Sequence, residues 1–288
     1  GVCRPRLMPA SPRAAPPRRG TRRGPADTAE SWDRVGLVAG QDDAPLRRVL
    51  LAVDAVRATV DDAIDWGADV LLTHHPLLLR GVHSVAEDTA KGALLASLIR
   101  GGCALLAAHT NADQPEGGVS DVLAERLGLV GAVPLVPGVD PSLGMGRGGE
   151  LADAASTEAP SLAEFAERIA AILPETVSGV RVAGDPARPI RRVALCGGAG
   201  DSLLDHPAVR GADVYVTSDL RHHPAQESLE QSLVGGGPAL VDVSHWAAES
   251  LWLAGAAETL AAELPGGEFR VSALRTDPWD FVVGAAGR

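Results

Sequence analysis

The sequence predicts an α/β fold built as two related lobes, and three observations carry that expectation. From residue 46 onward, short apolar runs alternate with amphipathic stretches, the pattern of strands separated by helices in a sheet-centred domain. The phrase GADVLLTHHP at 67–76 returns as GADVYVTSDLRHHP at 211–224, an internal echo that points to two lobes of common plan. With 288 residues, 45% of them hydrophobic, the chain has material for one large domain or two lobes with a core.

Taken in order, residues 1–30 are rich in Pro, Arg, Ala and Gly without apolar periodicity, and are expected to form a disordered tail. Six prolines in the first 25 residues argue against the amphipathic helix of a transit peptide. Strands are expected at 48–54 (RVLLAVD), 69–74 (DVLLTH), 103–109 (CALLAAH), 179–184, 192–197, 213–217 (DVYVT), 238–244 (PALVDVS) and 268–275. The stretch 161–172 is expected to be a helix: Ser161 and Glu164 form a capping-box pattern, and Leu162, Phe165, Ile169 and Ile172 recur at helical spacing. Lobes are placed at 31–130 and 150–284, with the Pro- and Gly-rich segment 131–149 as their connection.

Composition narrows the function classes. No run of eighteen uninterrupted apolar residues occurs, so no membrane span is expected. Cys3, Cys103 and Cys196 are too scattered for a disulfide framework or a CxxC pair, which fits a reducing, cytoplasmic location; Cys103 and Cys196 read as small core residues beside strands. Seven of the 26 basic residues fall within the first 23 positions, so the rest of the chain sets 19 against all 37 acidic groups. An acidic body disfavours non-specific nucleic-acid binding and suits a site that collects cations.

Three apolar strands run into histidine: VLLTHHP at 70–76, ALLAAHTNAD at 104–113 and ALVDVSHWAAE at 239–249. In an open α/β sheet the carboxyl ends of strands form the crevice where ligands collect. His245 and Glu249 are four apart at the start of an expected helix, on one face of it. His74 and His75 are adjacent at a strand end, and Pro76 directly afterwards takes the chain out of the strand so that both can serve. Asp113 follows His109 by four in the next loop. His74, His75, Asp113, His245 and Glu249 thus form a nitrogen and oxygen donor set without thiolate, suited to two divalent ions and indifferent among Zn, Fe, Mn and Co. His222 and His223 read as surface or pocket wall at a helix start, and His83 and His206 as surface. CGGAGDS at 196–202 reads as a tight strand-to-helix turn, lacking the lysine of a P-loop.

In chain order, SWDRVGLVAG (31–40), THHPLLL (73–79), HTNADQPEGGVSDVLAERLGL (109–129), GRGGEL (146–151), VALCGGAGDSLL (193–204), DVYVTSD (213–219), SHWAAE (244–249) and RTDPW (275–279) resemble the GTP cyclohydrolase I type 2 homologue family, also called Nif-three-like proteins. The resemblance covers residues 31–284. It implies two α/β lobes with mixed sheets, in the compact form of the family without an inserted domain, assembled as a toroidal homohexamer with dinuclear metal centres facing an internal cavity. Carried over by position, the family's ligands fall on the same five residues, Glu249 bridging both ions and His109 lining the site. Two family glycines are serines here, Ser244 before His245 and Ser218 within the TGD pattern; both replacements are small and are expected to leave the ligands intact.

Two functions follow. As an enzyme, the chain would be a metal-dependent hydrolase, and the family name implies opening of the GTP imidazole ring, with a nucleotide or phosphorylated small molecule as substrate. Arg80 and Arg147 are the candidates for phosphate contacts, though they read more readily as surface salt-bridge partners. The alternative is a non-catalytic metal-binding or regulatory assembly.

Overall fold

The structure is a computed structural model and describes residues 29–42, 46–152 and 158–284. Apart from Ala29 and Glu30, the expected tail lies outside the described residues. In chain order the elements are β1 (Gly36–Ala39), β2 (Arg48–Ala52), α1 (Arg57–Trp66), β3 (Val70–Thr73), α2 (Ala90–Arg100), β4 (Ala104–Ala107) and the single turn α3 (Thr110–Asp113). There follow α4 (Val119–Arg126), β5 (Leu129–Val133), β6 (Val136–Pro137), β7 (Gly144–Met145), β8 (Arg147–Leu151), α5 (Leu162–Ile172) and β9 (Arg181–Ala183). The chain ends with β10 (Arg192–Ala199), α6 (Pro207–Arg210), β11 (Val214–Ser218), α7 (His222–Gly235), β12 (Ala239–Val243), α8 (His245–Glu263) and β13 (Glu268–Val271). Two compact units result: one takes the described residues up to Ala112 together with Trp252–Thr276, the other Asp113–Leu251 and the described residues from Asp277 onward. The segment 131–149, expected from its prolines and glycines to connect two lobes, forms strands of the second unit.

The first unit is a five-stranded mixed sheet in the order β1-β4-β3-β2-β13. Strands β4, β3, β2 and β13 run parallel, and β1 closes the edge antiparallel to β4. Strand β3 is buried along its whole length, as befits a parallel strand covered on both faces, and its side chains are accordingly an unbroken apolar run ending in threonine. Leu50, Leu71 and Leu105 stand in one register row across β2, β3 and β4, and Val60 and Ala63 of α1 with Leu94 and Leu98 of α2 close over them. Helix α1 ends on Gly67 in the left-handed conformation, φ 71°, its N–H bonded to the last turn. Gly40 ends β1 at φ 106°, where a Cβ would sit 2.6 Å from Ala104 Cβ, so neither backbone nor space admits a side chain.

The second unit holds a six-stranded mixed sheet, β5-β8-β10-β11-β12-β9, and a two-stranded pair, β6-β7. Its centre, β10-β11-β12, is parallel, with antiparallel β8 and β9 on either side. Alternate residues divide between two cores, as the period of two requires. Val193, Leu195, Val214, Val216 and Val241 pack with Leu162, Phe165 and Ile169 of α5, whereas Ala194, Cys196, Tyr215 and Leu240 pack with Leu203 and Val209. The capping box on α5 forms as its sequence predicts, Ser161 accepting from Glu164 N–H and Glu164 reaching back to Ser161 N–H.

In each unit the parallel strands present their carboxyl ends along one sheet edge. Asp54 follows β2, His74 and His75 follow β3, and His109 follows β4; Asp219 follows β11 and His245 follows β12.

Candidate metal centre

In the first unit, Thr73 ends β3 with its hydroxyl donating to the His75 carbonyl at 2.9 Å, which turns the chain out of the strand. Both neighbouring imidazoles then lie on the same side, with ring centroids 5.1 Å apart. His109 joins them at 5.2 Å from the His74 ring and 5.6 Å from the His75 ring. One ligand atom from each of the three falls within 4.8 Å of the others, the spacing of donors around a common ion. Trp252 stacks obliquely on His74 at 5.6 Å, and Trp32 meets His109 edge-on at 5.9 Å, giving the imidazoles aromatic walls.

Each ring is held by its Nδ1. His74 Nδ1 lies 2.9 Å from the Ala108 carbonyl, His75 Nδ1 2.7 Å from Asp54 Oδ1, and His109 Nδ1 2.9 Å from Asp33 Oδ1. Asp33 is itself buried and accepts from the N–H and hydroxyl of Thr110 and from Arg34 N–H. Burial works to raise the Asp33 pKa, but these hydrogen bonds outweigh it and hold the carboxyl below its usual value. Burial pushes the His109 pKa down, more strongly than the Asp33 contact pulls it up. The second oxygen of Asp54 accepts from the Thr276 hydroxyl, fixing that carboxylate in turn.

In the second unit, α8 begins at His245 and Ser244 caps it: its oxygen accepts from Ala247 N–H at 3.2 Å while its hydroxyl donates to Asp277 at 2.6 Å. The serine that replaces the family glycine thus anchors the helix start. One turn apart, His245 Nε2 and Glu249 Oε1 approach to 2.8 Å, and His245 Nδ1 lies 2.7 Å from Asp219 Oδ2. Burial lowers the His245 pKa, yet the hydrogen bonds with Asp219 and Glu249 prevail and raise it to about 10. Asp113, at the end of α3, and Glu249 both add negative potential at the Cys196 thiol, which burial first of all pushes up to about 12. Gly198 closes this site from the sheet side: at φ 76°, a Cβ there would come 2.9 Å from Glu249 Oε1 and 3.4 Å from His245 Nε2.

The donor chemistry fits a divalent cation. Four imidazoles direct Nδ1 to an oxygen acceptor, the arrangement by which proteins orient histidine ligands; at His245 a cation would take the place of the proton that Nε2 shares with Glu249. Glu249 adds a buried carboxylate beside His245 Nε2, an oxygen donor next to a nitrogen donor.

Of the five residues the sequence singles out, His74 and His75 meet in the first unit, His245 and Glu249 meet in the second, and Asp113 contributes to the field in the second. His109 stands in the His74–His75 cluster. Asp33, Asp54 and Asp219, which hold the rings, escaped sequence reasoning; Asp54 and Asp219 follow apolar strands just as the histidines do, and that signal could have found them. His222 and His223 begin α7 and are exposed, while His206 is half-buried and caps α6 by accepting from Ala208 N–H. Arg147 overturns its expected surface position: it is 2% exposed, and its five N–H groups go to Asp121 and to the carbonyls of Gly144, Gly146, Gln114 and Pro115. With these acceptors taken up, none of its donors is left for a phosphate.

Comparison with known proteins places these observations. The family model described as Duf34/NIF3 (NGG1p interacting factor 3) matches residues 21–278. A Streptomyces coelicolor protein named GTP cyclohydrolase 1 type 2 homolog is 46% identical over 266 residues, covering 91% of each chain. A Mycobacterium tuberculosis protein of the same name is 36% identical over 363 residues, covering 89% of this chain and 93% of the other. Among solved structures, a Bacillus cereus protein related to NIF3 superposes with a TM-score of 0.79 at 25% identity, covering 90% of this chain and 96% of that one. A Staphylococcus aureus hypothetical protein gives 0.78 at 27% identity, covering 90% and 95%.

Proposed function

The chain belongs to the Duf34/NIF3 family, and from that premise we propose that it is a divalent-metal-binding protein acting as a metal-dependent hydrolase. The observation that carries this reading is the set of four imidazoles anchored through Nδ1, an arrangement that orients Nε2 for a cation. In this reading His74, His75, Asp113, His245 and Glu249 hold two ions drawn from Zn, Fe, Mn or Co. A bound pair of such ions supplies a water of lowered pKa and an electrophile for a substrate oxygen. The chain's own residues do the rest. Asp54 fixes the ring of His75, His109 backed by Asp33 lines the site, and Trp32 and Trp252 wall the imidazoles of the first unit.

The printed name of the relatives, GTP cyclohydrolase 1 type 2 homolog, supports GTP as the first substrate to test, with hydrolytic opening of the imidazole ring and loss of formate. Metal-reconstituted protein is assayed for formate release from GTP and against a panel of phosphoesters and amides, wild type beside His74→Ala. Turnover that disappears in a folded His74→Ala supports the hydrolase. Absence of turnover on every substrate at full metal occupancy overturns it.

One observation favours the second reading, a non-catalytic metal-binding or regulatory assembly. Arg147, a candidate for gripping a triphosphate, is consumed by structural hydrogen bonds. We also propose a homo-oligomer, a hexamer by resemblance, which light scattering coupled to size exclusion tests directly.

A further inference from the structure

We infer that Asp219 is a positioning residue of the metal centre, holding the His245 ring by Nδ1 in one tautomer and one orientation so that Nε2 faces the ion. This rests on the metal-binding reading above and deepens it, by assigning a role to a side chain outside the ligand set.

The first support is backbone geometry. Among the described residues Asp219 is the one non-glycine with positive φ, at 56°. Left-handed backbone is disfavoured for an L-residue and persists where the surroundings impose it, often at functional sites. Glycine would hold that turn without strain, so an aspartate there calls for a reason in its side chain.

The second support is what the carboxylate does. β11 and β12 run parallel with Ser218 beside Val243, so continuing both chains places residue 219 near the turn into α8. The left-handed step sends the backbone back across the sheet edge, where Leu220 N–H donates to Asp242 at 2.8 Å, and leaves the Asp219 carboxylate 2.7 Å from His245 Nδ1. On the opposite side of the same imidazole, Gly198 brings bare backbone against Glu249 and His245 Nε2. One strained residue and one unavoidable glycine therefore bracket a single ligand pair.

The third support is repetition. In the first unit Asp54 stands to His75 at the same 2.7 Å, again from the residue stretch that follows a parallel strand. Asp54 is not among the residues with positive φ, so the contact itself does not demand strain. The strain arises at Asp219 because turn and carboxylate must occupy one position.

The test uses the full chain and zinc alone, with affinity read by competition against a chromophoric chelator and fold checked by circular dichroism. Asp219→Gly and Asp219→Ala are expected to weaken zinc binding by about 10- to 100-fold, the usual effect of losing an outer partner of a histidine ligand. Asp219→Asn, which tolerates the turn and offers an amide oxygen to Nδ1–H, is expected to fall between them and wild type. In zinc-loaded wild type the His245 Nδ1–H should appear as a slowly exchanging ring proton by NMR, and Asp219→Gly should abolish it; a residue serving only the turn would leave that signal in place. Wild-type affinity in Asp219→Gly, with zinc binding lost in His245→Ala, overturns the inference and leaves the metal centre standing. Unchanged zinc binding in His245→Ala overturns the metal-centre reading and this inference with it. Should Asp219→Gly fail to fold, wild-type affinity and ring signal in Asp219→Ala overturn the inference in its place.

Discussion

Arg147 and the two buried thiols show how burial decides what a polar side chain can do. Truncating Arg147 to methionine removes a donor from Asp121 and from four carbonyls, although Asp121, Gln114 and Pro115 each keep a backbone donor; a buried group left unsatisfied costs about 1–3 kcal/mol, and urea melts should show a loss of that order. Burial raises the Cys103 thiol to about 11 and, with Asp113 and Glu249 adding to it, the Cys196 thiol to about 12. In a Cys3→Ser background both should resist maleimide at pH 8 while folded and react once unfolded, because only the thiolate is nucleophilic. The linked effect on stability has a definite sign. Each folded thiol keeps its proton to higher pH than an unfolded one, so the stabilisation is complete below the ordinary thiol pKa near 9 and declines as pH rises toward 11 and 12. At this scale the clustered histidines are legible because each follows an apolar strand, a position where burial without purpose is costly. Their aspartate partners are harder to see, since a carboxylate at a strand end is as often a turn residue, and Arg147 is misread because nothing local announces a cavity that fits it.

Helix α5 is the element most fully specified by its own residues. Ser161, Glu164 and the apolar series agree on start, register and buried face, and Leu162, Phe165 and Ile169 are all buried completely. Ser161→Ala should cost about 1 kcal/mol through the lost cap, and Phe165→Ala about 3–5 kcal/mol through the cavity it leaves; differential scanning calorimetry resolves both, and equal losses would show that the cap and the core are not separable as described. The parallel strands are likewise legible, because double-sided burial demands continuous apolar runs. Strands β7 and β8 are not: Gly144, Gly146, Gly148 and Gly149 lie close against neighbouring backbone or side chains, so their sequence carries the mark of close packing and reads as loop. β1 is missed because it is four residues long and bounded by Gly36 and Gly40 at positive φ.

For the molecule as a whole, the proposed metal binding predicts a link to stability. An ion bound by the native chain alone, present at a hundred times its dissociation constant, adds about 2.7 kcal/mol. Stripping the protein with chelator should therefore lower its melting temperature by roughly 5–10 °C, and adding back metal should restore it; an unchanged melting temperature would mean that the donors hold nothing tightly. Among the described residues no helix is long and apolar enough to cross a membrane. The internal echo in the sequence corresponds to β3 and β11, each a central parallel strand of its own sheet, which is why the same dipeptide grammar precedes both. What the echo could not reveal is that the first unit is assembled from two distant stretches of chain. Its strand β13 pairs with β2, Glu268 beside Arg48, whereas all six strands of the second sheet lie between Leu129 and Val243. A chain emerging from the ribosome can thus finish its later sheet first. Meanwhile β2 waits with an open edge until Glu268–Val271 has emerged, an exposure of the kind that recruits chaperones or invites pairing with a neighbouring nascent chain.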